Sequence, residues 1–159
     1  MDNKARNAVT DLDTPCVTIQ LDRLERNISR VQDMVAASGR KNRPHIKTHK
    51  IPAIGRMQIE AGAAGLTCQK LGEAELFIDA GVTDDLLITF NIVGEAKTER
   101  LMQLAKRIRR LAVVADNDLV LKGLSDAARR HQHELPFLIE CDGGFGRNGV
   151  QTPQQALDL

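Results

Sequence analysis

Apolar and polar positions follow two different spacings along the chain, and each spacing predicts one kind of element. The run "PCVTIQL", from Pro15 to about Leu21, alternates apolar with polar side chains and predicts a strand. The following stretch, residues 21–38, repeats apolar side chains at helical spacing, and Gly39 supplies a stop signal. We therefore expect a strand and then an amphipathic helix near the start of the chain.

After Gly39 the same two signals recur five times, a short apolar run followed by a helical spacing. The apolar runs predict strands at residues 43–47, 65–69, 85–90, 111–116 and 136–142. The helical spacings predict helices within residues 51–62, 71–81, 94–110, 117–131 and 152–159. Pro52 lies in the first turn of one predicted helix, and Thr152 is an N-cap before Pro153 in another. This alternation predicts a parallel sheet covered by helices.

Two α/β architectures fit five such units. One is a doubly wound five-stranded sheet, and the other is an incomplete (β/α)8 TIM-type barrel containing about the first five βα units. A whole barrel needs roughly 250 residues, whereas this chain has 159 and stops inside the predicted helix "QQALDL". The barrel hypothesis therefore makes the chain a truncated part of a longer protein.

Composition and charge argue against nucleic-acid-binding, membrane-bound and secreted classes of protein. The chain has 22 basic and 21 acidic residues, so nucleic acids and membrane surfaces are not expected partners. No apolar run approaches the roughly 20 residues of a membrane span, and the start "MDNKARNAVTDLD" shows no secretory signal. Three widely spaced cysteines indicate reduced thiols in a cytoplasmic protein. Cys68 and Cys141 lie in or beside apolar runs, so we expect both to be buried.

The stretch "RPHIKTHK", residues 43–50, concentrates the candidate chemistry. In a strand, His45 and Lys47 would share one face near the carboxyl end, where active sites of parallel α/β folds lie. A lysine there loses hydration, which favours the neutral, nucleophilic amine. The alternative, which composition alone favours, is an ordinary solvent-facing lysine, because isolated lysines are usually exposed. His45 and His49 have zinc-ligand spacing, but Pro44 argues against the helix that this spacing requires.

The stretch "GFGRNG" matches a dinucleotide-binding pattern at Gly144, Gly146 and Gly149. The match fails in detail because the helix cap, Thr152, comes three residues after the last glycine. An alternative is that the glycines allow a close approach to a flat cofactor while Arg147 donates hydrogen bonds to it.

Three stretches, "RPHIKTHK", "GAAGLTCQKLGEAELFIDAGVTDDLLITFNIVG" and "IECDGGFGRNGV", resemble in this order a known group of enzymes. They resemble the N-terminal barrel region of D-threonine aldolases and eukaryotic-type D-serine dehydratases, which are alanine-racemase-like, fold type III pyridoxal-phosphate enzymes. The likeness runs from about Asp13 to the last residue. It implies a barrel with the cofactor at its carboxyl mouth and a later β-domain. Residues 1–20 would then be an N-terminal segment and strand belonging to that β-domain, and residues 21–159 part of the barrel.

The resemblance also implies roles for individual residues. Lys47 matches the family's Schiff-base lysine, and Arg147 matches the arginine near the phenolic oxygen of the cofactor. His45, Thr48 and Gln69 occupy motif positions that line the same mouth, so we expect all five residues to contribute to cofactor binding. The implied activity is that of a pyridoxal-phosphate-dependent lyase acting on β-hydroxy D-amino acids, D-threonine aldolase before D-serine dehydratase. A non-catalytic pyridoxal-phosphate-binding protein is a further alternative.

A divalent metal near the substrate hydroxyl is also implied by the resemblance. Its ligands in the family, a histidine with an aspartate or cysteine, come from a C-terminal region, so none is expected within this chain. The family further implies a homodimer for the full-length enzyme. The tyrosine that typically flanks the cofactor ring is missing, since the chain contains no tyrosine. We therefore expect little catalysis from these 159 residues alone.

Overall fold

The computed structural model describes residues 12–159, and within that range helices alternate with short strands. The helices are α1 (Leu21–Ala37), α2 (Pro52–Glu60), α3 (Leu71–Asp79), α4 (Glu95–Ala105), α5 (Asp118–His131) and α6 (Pro153–Asp158). The strands are β1 (Leu66–Cys68), β2 (Asp85–Ile88), β3 (Arg110–Ala115) and β4 (Phe137–Ile139). A one-turn 3-10 helix spans Ile46–Thr48. All five repeated helices of the sequence prediction are present, as is the first helix.

The four strands form one parallel sheet in the order β1-β2-β3-β4. Its register pairs Leu66 with Leu86, Leu86 with Leu111, and Val113 with Phe137. Neighbouring strands are consecutive in sequence throughout, whereas a doubly wound sheet reverses its strand order at a switch point. The sheet is therefore an arc of a (β/α)8 barrel, and the α/β prediction is confirmed.

The predicted strand at residues 43–47 is largely wrong. The backbone pairs with β1 only through a bridge between His45 and Thr67 and a bond from the Thr67 N–H to the Pro44 oxygen, 2.9 Å long. The chain then turns, because the Ile46 carbonyl accepts hydrogen bonds from the N–H groups of His49 and Lys50. Local hydrogen bonds of this kind compete with the strand ladder and end it at one residue.

The predicted strand at residues 15–21 does not form within the described residues, and its place in a later β-domain stays a prediction. Residues 16–20 pair with no strand within residues 12–159, and Val17 is 98% exposed. An extended segment becomes a strand only when a neighbour takes its backbone hydrogen bonds. Residues 1–11 of the predicted N-terminal segment lie outside the described residues. The division of the chain at residue 20 stays a prediction.

The core lies between the sheet and helices α3, α4 and α5. Alternate strand residues such as Leu66, Leu86 and Leu111 are at most 2% exposed and pack against Phe77 of α3 and Leu101 of α4, which are fully buried. Burying one side chain of this size contributes about 1.5–3 kcal/mol. This packing fixes which strand residues face the helices. It leaves the carboxyl edge of the sheet free for polar side chains.

No helix within residues 12–159 combines the length and the apolar character that crossing a membrane requires.

Candidate functional site

Polar side chains collect at the carboxyl edge of the sheet, because parallel strands all end on the same side. His45 lies beside β1, Gln69 follows β1, Thr89 and Asn91 follow β2, Asp116 follows β3, and the glycine-rich loop 143–149 follows β4. This edge contains every residue that the sequence analysis selected for the cofactor site. It also contains residues that the analysis missed.

Lys47 and Thr48 lie in the 3-10 turn that follows His45, and both side chains are exposed. Within the described residues Lys47 agrees with the alternative of a solvent-facing lysine, and its loss of hydration stays a prediction. No ion pair between Lys47 and another residue of the range 12–159 is present. Lys47 is therefore an accessible primary amine at the edge of the sheet.

His45 links the 3-10 turn that contains Lys47 to the ends of β1 and β2. Its Nδ1 accepts the backbone N–H of Lys47 at 3.2 Å, so the neutral ring carries its proton on Nε2. Nε2 lies 3.3 Å from Gln69 Oε1 and 3.3 Å from Thr89 Oγ1. Burial, and then the positive charge of Lys47, lower the pKa of His45, which favours this neutral form. The predicted proximity of His45 and Gln69 is thus present.

Glu73 is a buried carboxylate that contacts both Lys50, after the 3-10 turn, and Gln69, after the end of β1. It is 4% exposed and lies in the first turn of α3. Its Oε2 accepts the backbone N–H of Gln69 at 2.8 Å, and its Oε1 lies 3.7 Å from Lys50 Nζ. Sequence analysis missed this role, although a glutamate three residues inside a helix is a known partner for backbone N–H groups before the helix. Glu73 holds the backbone of Gln69 in place.

The glycine-rich loop is organised from within by Asp142. Its carboxylate accepts the backbone N–H groups of Gly144, Phe145 and Gly146, each at 2.9 Å. A dinucleotide-binding loop offers such N–H groups to phosphate oxygens. Here Asp142 occupies them, which gives a physical reason against the dinucleotide interpretation.

Arg147 is exposed and borders an open cavity of about 400 Å³. The cavity is also lined by Glu140, Asp142, Phe145 and Asn148. The Arg147 Nε donates to Asn148 Oδ1 at 2.7 Å. Asn148 Nδ2 and Glu140 Oε2 are buried without a hydrogen-bond partner in the described range. Unpaired buried donors and acceptors are costly, so these atoms favour a polar ligand or water beside Arg147.

The described part of the chain contains no cluster of three or more His, Cys, Asp or Glu side chains able to hold a metal. His45 and His49 do not converge, since His49 Nδ1 accepts the Ile51 N–H at 3.1 Å and its ring lies against Phe77.

Cys68 is buried, as predicted. Burial, and then a nearby glutamate, raise its pKa to about 12.

Cys141 is exposed, so the expectation that it is buried is wrong. It lies two residues after Ile139, the last residue of β4, where the backbone has left the ladder and forms a single bridge with Val150.

Comparison with known proteins covers nearly the whole chain. The family described as alanine racemase, N-terminal domain, matches residues 19–159. A 3-hydroxy-D-aspartate aldolase of Paracoccus denitrificans (strain Pd 1222) is 36% identical over 151 residues, which are 94% of this chain and 39% of that protein. A D-threo-3-hydroxyaspartate dehydratase of Delftia sp. (strain HT23) is 34% identical over 154 residues, 97% of this chain and 40% of that protein.

Solved structures give the same result. The crystal structure of D-threonine aldolase from Filomicrobium marinum matches with a TM-score of 0.89 and 38% sequence identity. The match covers 94% of this chain and 40% of that one, so the chain spans about 40% of the length of its relatives. The resemblance inferred from the three sequence stretches is confirmed. The chain belongs to the alanine racemase N-terminal domain family.

Proposed function

We propose that this chain is the N-terminal barrel region of a pyridoxal-phosphate-dependent lyase acting on β-hydroxy D-amino acids. One structural observation carries the proposal: an accessible lysine, Lys47, shares the carboxyl edge of the parallel sheet with Gln69 and with the loop that bears Arg147. The relatives support the reaction class, since both aldolases and dehydratases match the chain at 34–38% identity. The activity is a property of the longer protein to which such a region belongs.

The residues present fit pyridoxal phosphate chemically. The cofactor has an aldehyde that a primary amine can hold, and Lys47 is such an amine. It has a phenolic oxygen that needs a hydrogen-bond donor, and Arg147 supplies one beside a cavity with an unpaired donor at Asn148 and an unpaired acceptor at Glu140. When bound, the cofactor supplies an electron sink for negative charge at the substrate α-carbon.

Each residue then has a defined task. Lys47 Nζ would hold the cofactor covalently, and the Arg147 guanidinium would donate hydrogen bonds to its phenolic oxygen and stabilise negative charge there. The neutral His45 donates from Nε2 to Gln69 Oε1, which leaves the Gln69 amide NH2 as the outward donor. Thr48, exposed on the same turn as Lys47, offers a hydroxyl at the edge of the site.

Aldolase and dehydratase differ in the bond that breaks. In an aldolase a base takes the β-hydroxyl proton and the Cα–Cβ bond breaks, which gives glycine and an aldehyde. In a dehydratase the α-proton leaves and the β-hydroxyl is expelled, which gives a keto acid and ammonia. We place D-threonine aldolase first and D-serine dehydratase second, with a non-catalytic pyridoxal-phosphate-binding protein as the remaining alternative.

The divalent metal, the homodimer and the cytoplasmic location are further proposals that rest on the family resemblance. The His, Cys, Asp and Glu side chains within residues 12–159 do not form a metal site. We therefore assign no step to a metal, and we place its ligands outside this chain.

Reductive trapping tests the proposal. Pyridoxal phosphate is added to the chain, sodium borohydride fixes the pyridoxyl group on the lysine that holds it, and peptide mass mapping finds the labelled residue. We expect one adduct, at Lys47, which disappears in Lys47→Ala. The matched control is Lys70→Ala, which removes an exposed lysine from the same edge and should leave the adduct unchanged. Labelling spread over many lysines and unaffected by Lys47→Ala, both in this chain and in the longer protein, would contradict the proposal.

Substrate assays then separate the two lyase activities. The assays use the longer protein to which such a region belongs: D-threonine, D-serine and 3-hydroxy-D-aspartate are supplied in turn, and aldehyde, keto acid and glycine are quantified. Glycine with an aldehyde identifies an aldolase, and a keto acid with ammonia identifies a dehydratase. A Lys47 adduct without either product indicates the cofactor-binding alternative.

A further inference from the structure

Asp116 receives hydrogen bonds from three different parts of the carboxyl edge. Its Oδ1 accepts from Asn91 Nδ2, beyond β2, at 2.7 Å, and from Asn117 Nδ2, the N-cap of α5, at 2.6 Å. Its Oδ2 accepts the backbone N–H of Gly149, at the end of the glycine-rich loop, at 2.8 Å. One carboxylate therefore ties β2, α5 and the loop to the end of β3.

The carboxylate is suited to this task because it is ionised. Burial acts to raise the pKa of Asp116, but N–H bonds donated by Gly149, Asn91 and Asn117 outweigh burial and hold the pKa below its usual range. Bonds to an ionised acceptor are shorter and stronger than those to a neutral one. Asp116 thus keeps all three bonds at neutral pH.

The end of the loop is tightly confined where Asp116 holds it. Gly149 has a φ of +101°, and a Cβ there would lie 2.5 Å from the Asp142 nitrogen. The Val150 N–H donates to the Glu140 oxygen at 2.8 Å, and the Asp142 N–H donates to the Val150 oxygen at 3.0 Å. These bonds return the loop to its own strand, β4. The bond from Gly149 to Asp116 is a link between the loop and the end of β3.

Asp142 and Asp116 therefore have different roles: one stabilises the conformation of the loop, and the other attaches the loop to the sheet. Asp142 shapes the loop from inside, through the N–H groups of Gly144, Phe145 and Gly146. Asp116 sets the place of the shaped loop relative to the rest of the edge. Arg147 lies two residues before Gly149, so a displacement of Gly149 moves the guanidinium with it.

We propose that Asp116 is a positioning residue, which holds the glycine-rich loop across the ends of β2 and β3 and thereby fixes Arg147 in the cofactor site. The role given to Arg147 rests on the proposed function. The attachment of the loop does not, and it can be measured without cofactor.

Amide hydrogen exchange on the cofactor-free chain tests the attachment. In Asp116→Ala we expect the amides of residues 143–149, and Gly149 above all, to exchange about tenfold faster, because their link to β3 is lost. The matched control is Asp118→Ala, which removes an exposed carboxylate two residues away in the same chain. Thermal unfolding confirms that each variant is folded, and Asp116→Asn replaces the alanine variant if that one is not. Parental exchange in the loop of a folded variant would overturn the inference.

A double-mutant cycle tests the action through Arg147. The concentration of pyridoxal phosphate that half-saturates the Lys47 adduct is measured for the parent, Asp116→Ala, Arg147→Ala and the double variant. We expect Asp116→Ala to raise it several-fold when Arg147 is present and to leave it unchanged when Arg147 is absent. An equal increase in both backgrounds, as expected of a general structural role, would overturn the assignment. If neither this chain nor the longer protein forms a Lys47 adduct, the proposed function fails, and hydrogen exchange alone decides whether Asp116 attaches the loop.

Discussion

Two neighbouring aspartates at the amino end of β2 differ in burial and make a matched pair for a stability test. Asp85 is 8% exposed, and its Oδ1 lies 2.9 Å from Arg43 Nη1 and 3.2 Å from Arg110 Nη1. Within the described residues Asp84 pairs only with Arg109, and both of those side chains are more than 60% exposed. Arg109 also reaches Asp85 Oδ2 at 3.4 Å, so it can pair with either aspartate. Asp85→Asn and Asp84→Asn remove the same charge from adjacent positions in these two environments.

Asp85→Asn, at the buried position, should destabilise the protein far more than Asp84→Asn. Breaking a fully buried ion pair by removing one partner costs roughly 3–5 kcal/mol. The side chains of Arg43 and Arg110 are 23% and 35% exposed, so water compensates part of that loss after Asp85→Asn. We expect a loss of about 2 kcal/mol in the free energy of unfolding, or roughly 4–8 °C in Tm for a chain of this size. Asp84→Asn should leave Tm unchanged within error.

The pH dependence gives a second, independent signature. Burial acts to raise the pKa of Asp85, but Arg43 and Arg110 outweigh it and hold the pKa below its usual range. A carboxyl with a lowered folded-state pKa contributes stability above its unfolded-state pKa, about 3.9, and loses it as pH falls through the folded-state value. The stability difference between parent and Asp85→Asn should therefore be full at neutral pH and shrink below about pH 4.

Urea unfolding followed by circular dichroism measures both signatures, with each variant titrated at neutral and acid pH. Equal destabilisation by Asp84→Asn and Asp85→Asn would refute the reasoning from burial. A difference between parent and Asp85→Asn that persists at acid pH would refute the assignment to the ionised carboxylate.

Two further predictions follow from burial and backbone geometry. At about pH 8 a maleimide should modify the exposed Cys16 and Cys141 in the native protein. It should spare Cys68, whose burial raises its pKa to about 12. Rapid labelling of all three thiols, measured by mass spectrometry, would contradict this prediction. Gly149→Ala should lower Tm more than Gly94→Ala. Both glycines have a φ near +100°, but only at Gly149 would the added Cβ meet backbone atoms, the nearest 2.5 Å away. Equal Tm losses would show that the loop end is free to shift.

Sequence patterns predicted the helices well because helix formation depends on near neighbours. The spacing of apolar residues marks the buried face, and caps mark the ends. Pro52 does begin α2, and the Thr152 hydroxyl accepts the Gln155 N–H at 3.2 Å at the start of α6. Strands were less well predicted, since a strand also needs a paired neighbour. Val17 has an alternating pattern around it but no partner in the described range.

Part of the candidate site could also be predicted from the sequence. Lys47, Gln69 and Arg147 lie within short recognisable stretches, and the sheet brings all three to one edge. Glu73 and Asp116 were missed, because each is a common acidic residue whose role depends on what it contacts. Thr89 was missed for the same reason, although a polar residue at the end of an apolar run is a usable signal.

The sequence by itself determined the helices, the alternation of strands with helices, the family resemblance and the segment containing the candidate lysine. These depend on residues within a few positions of one another, whose side chains meet as soon as a helix or turn forms. The tertiary structure alone decided that Lys47 is exposed, that His45 contacts Thr89 across 44 positions, and that Asp116 binds Gly149 across 33. Such contacts form only when the parallel strands align and their carboxyl ends meet, so their partners carry no signal in the local pattern.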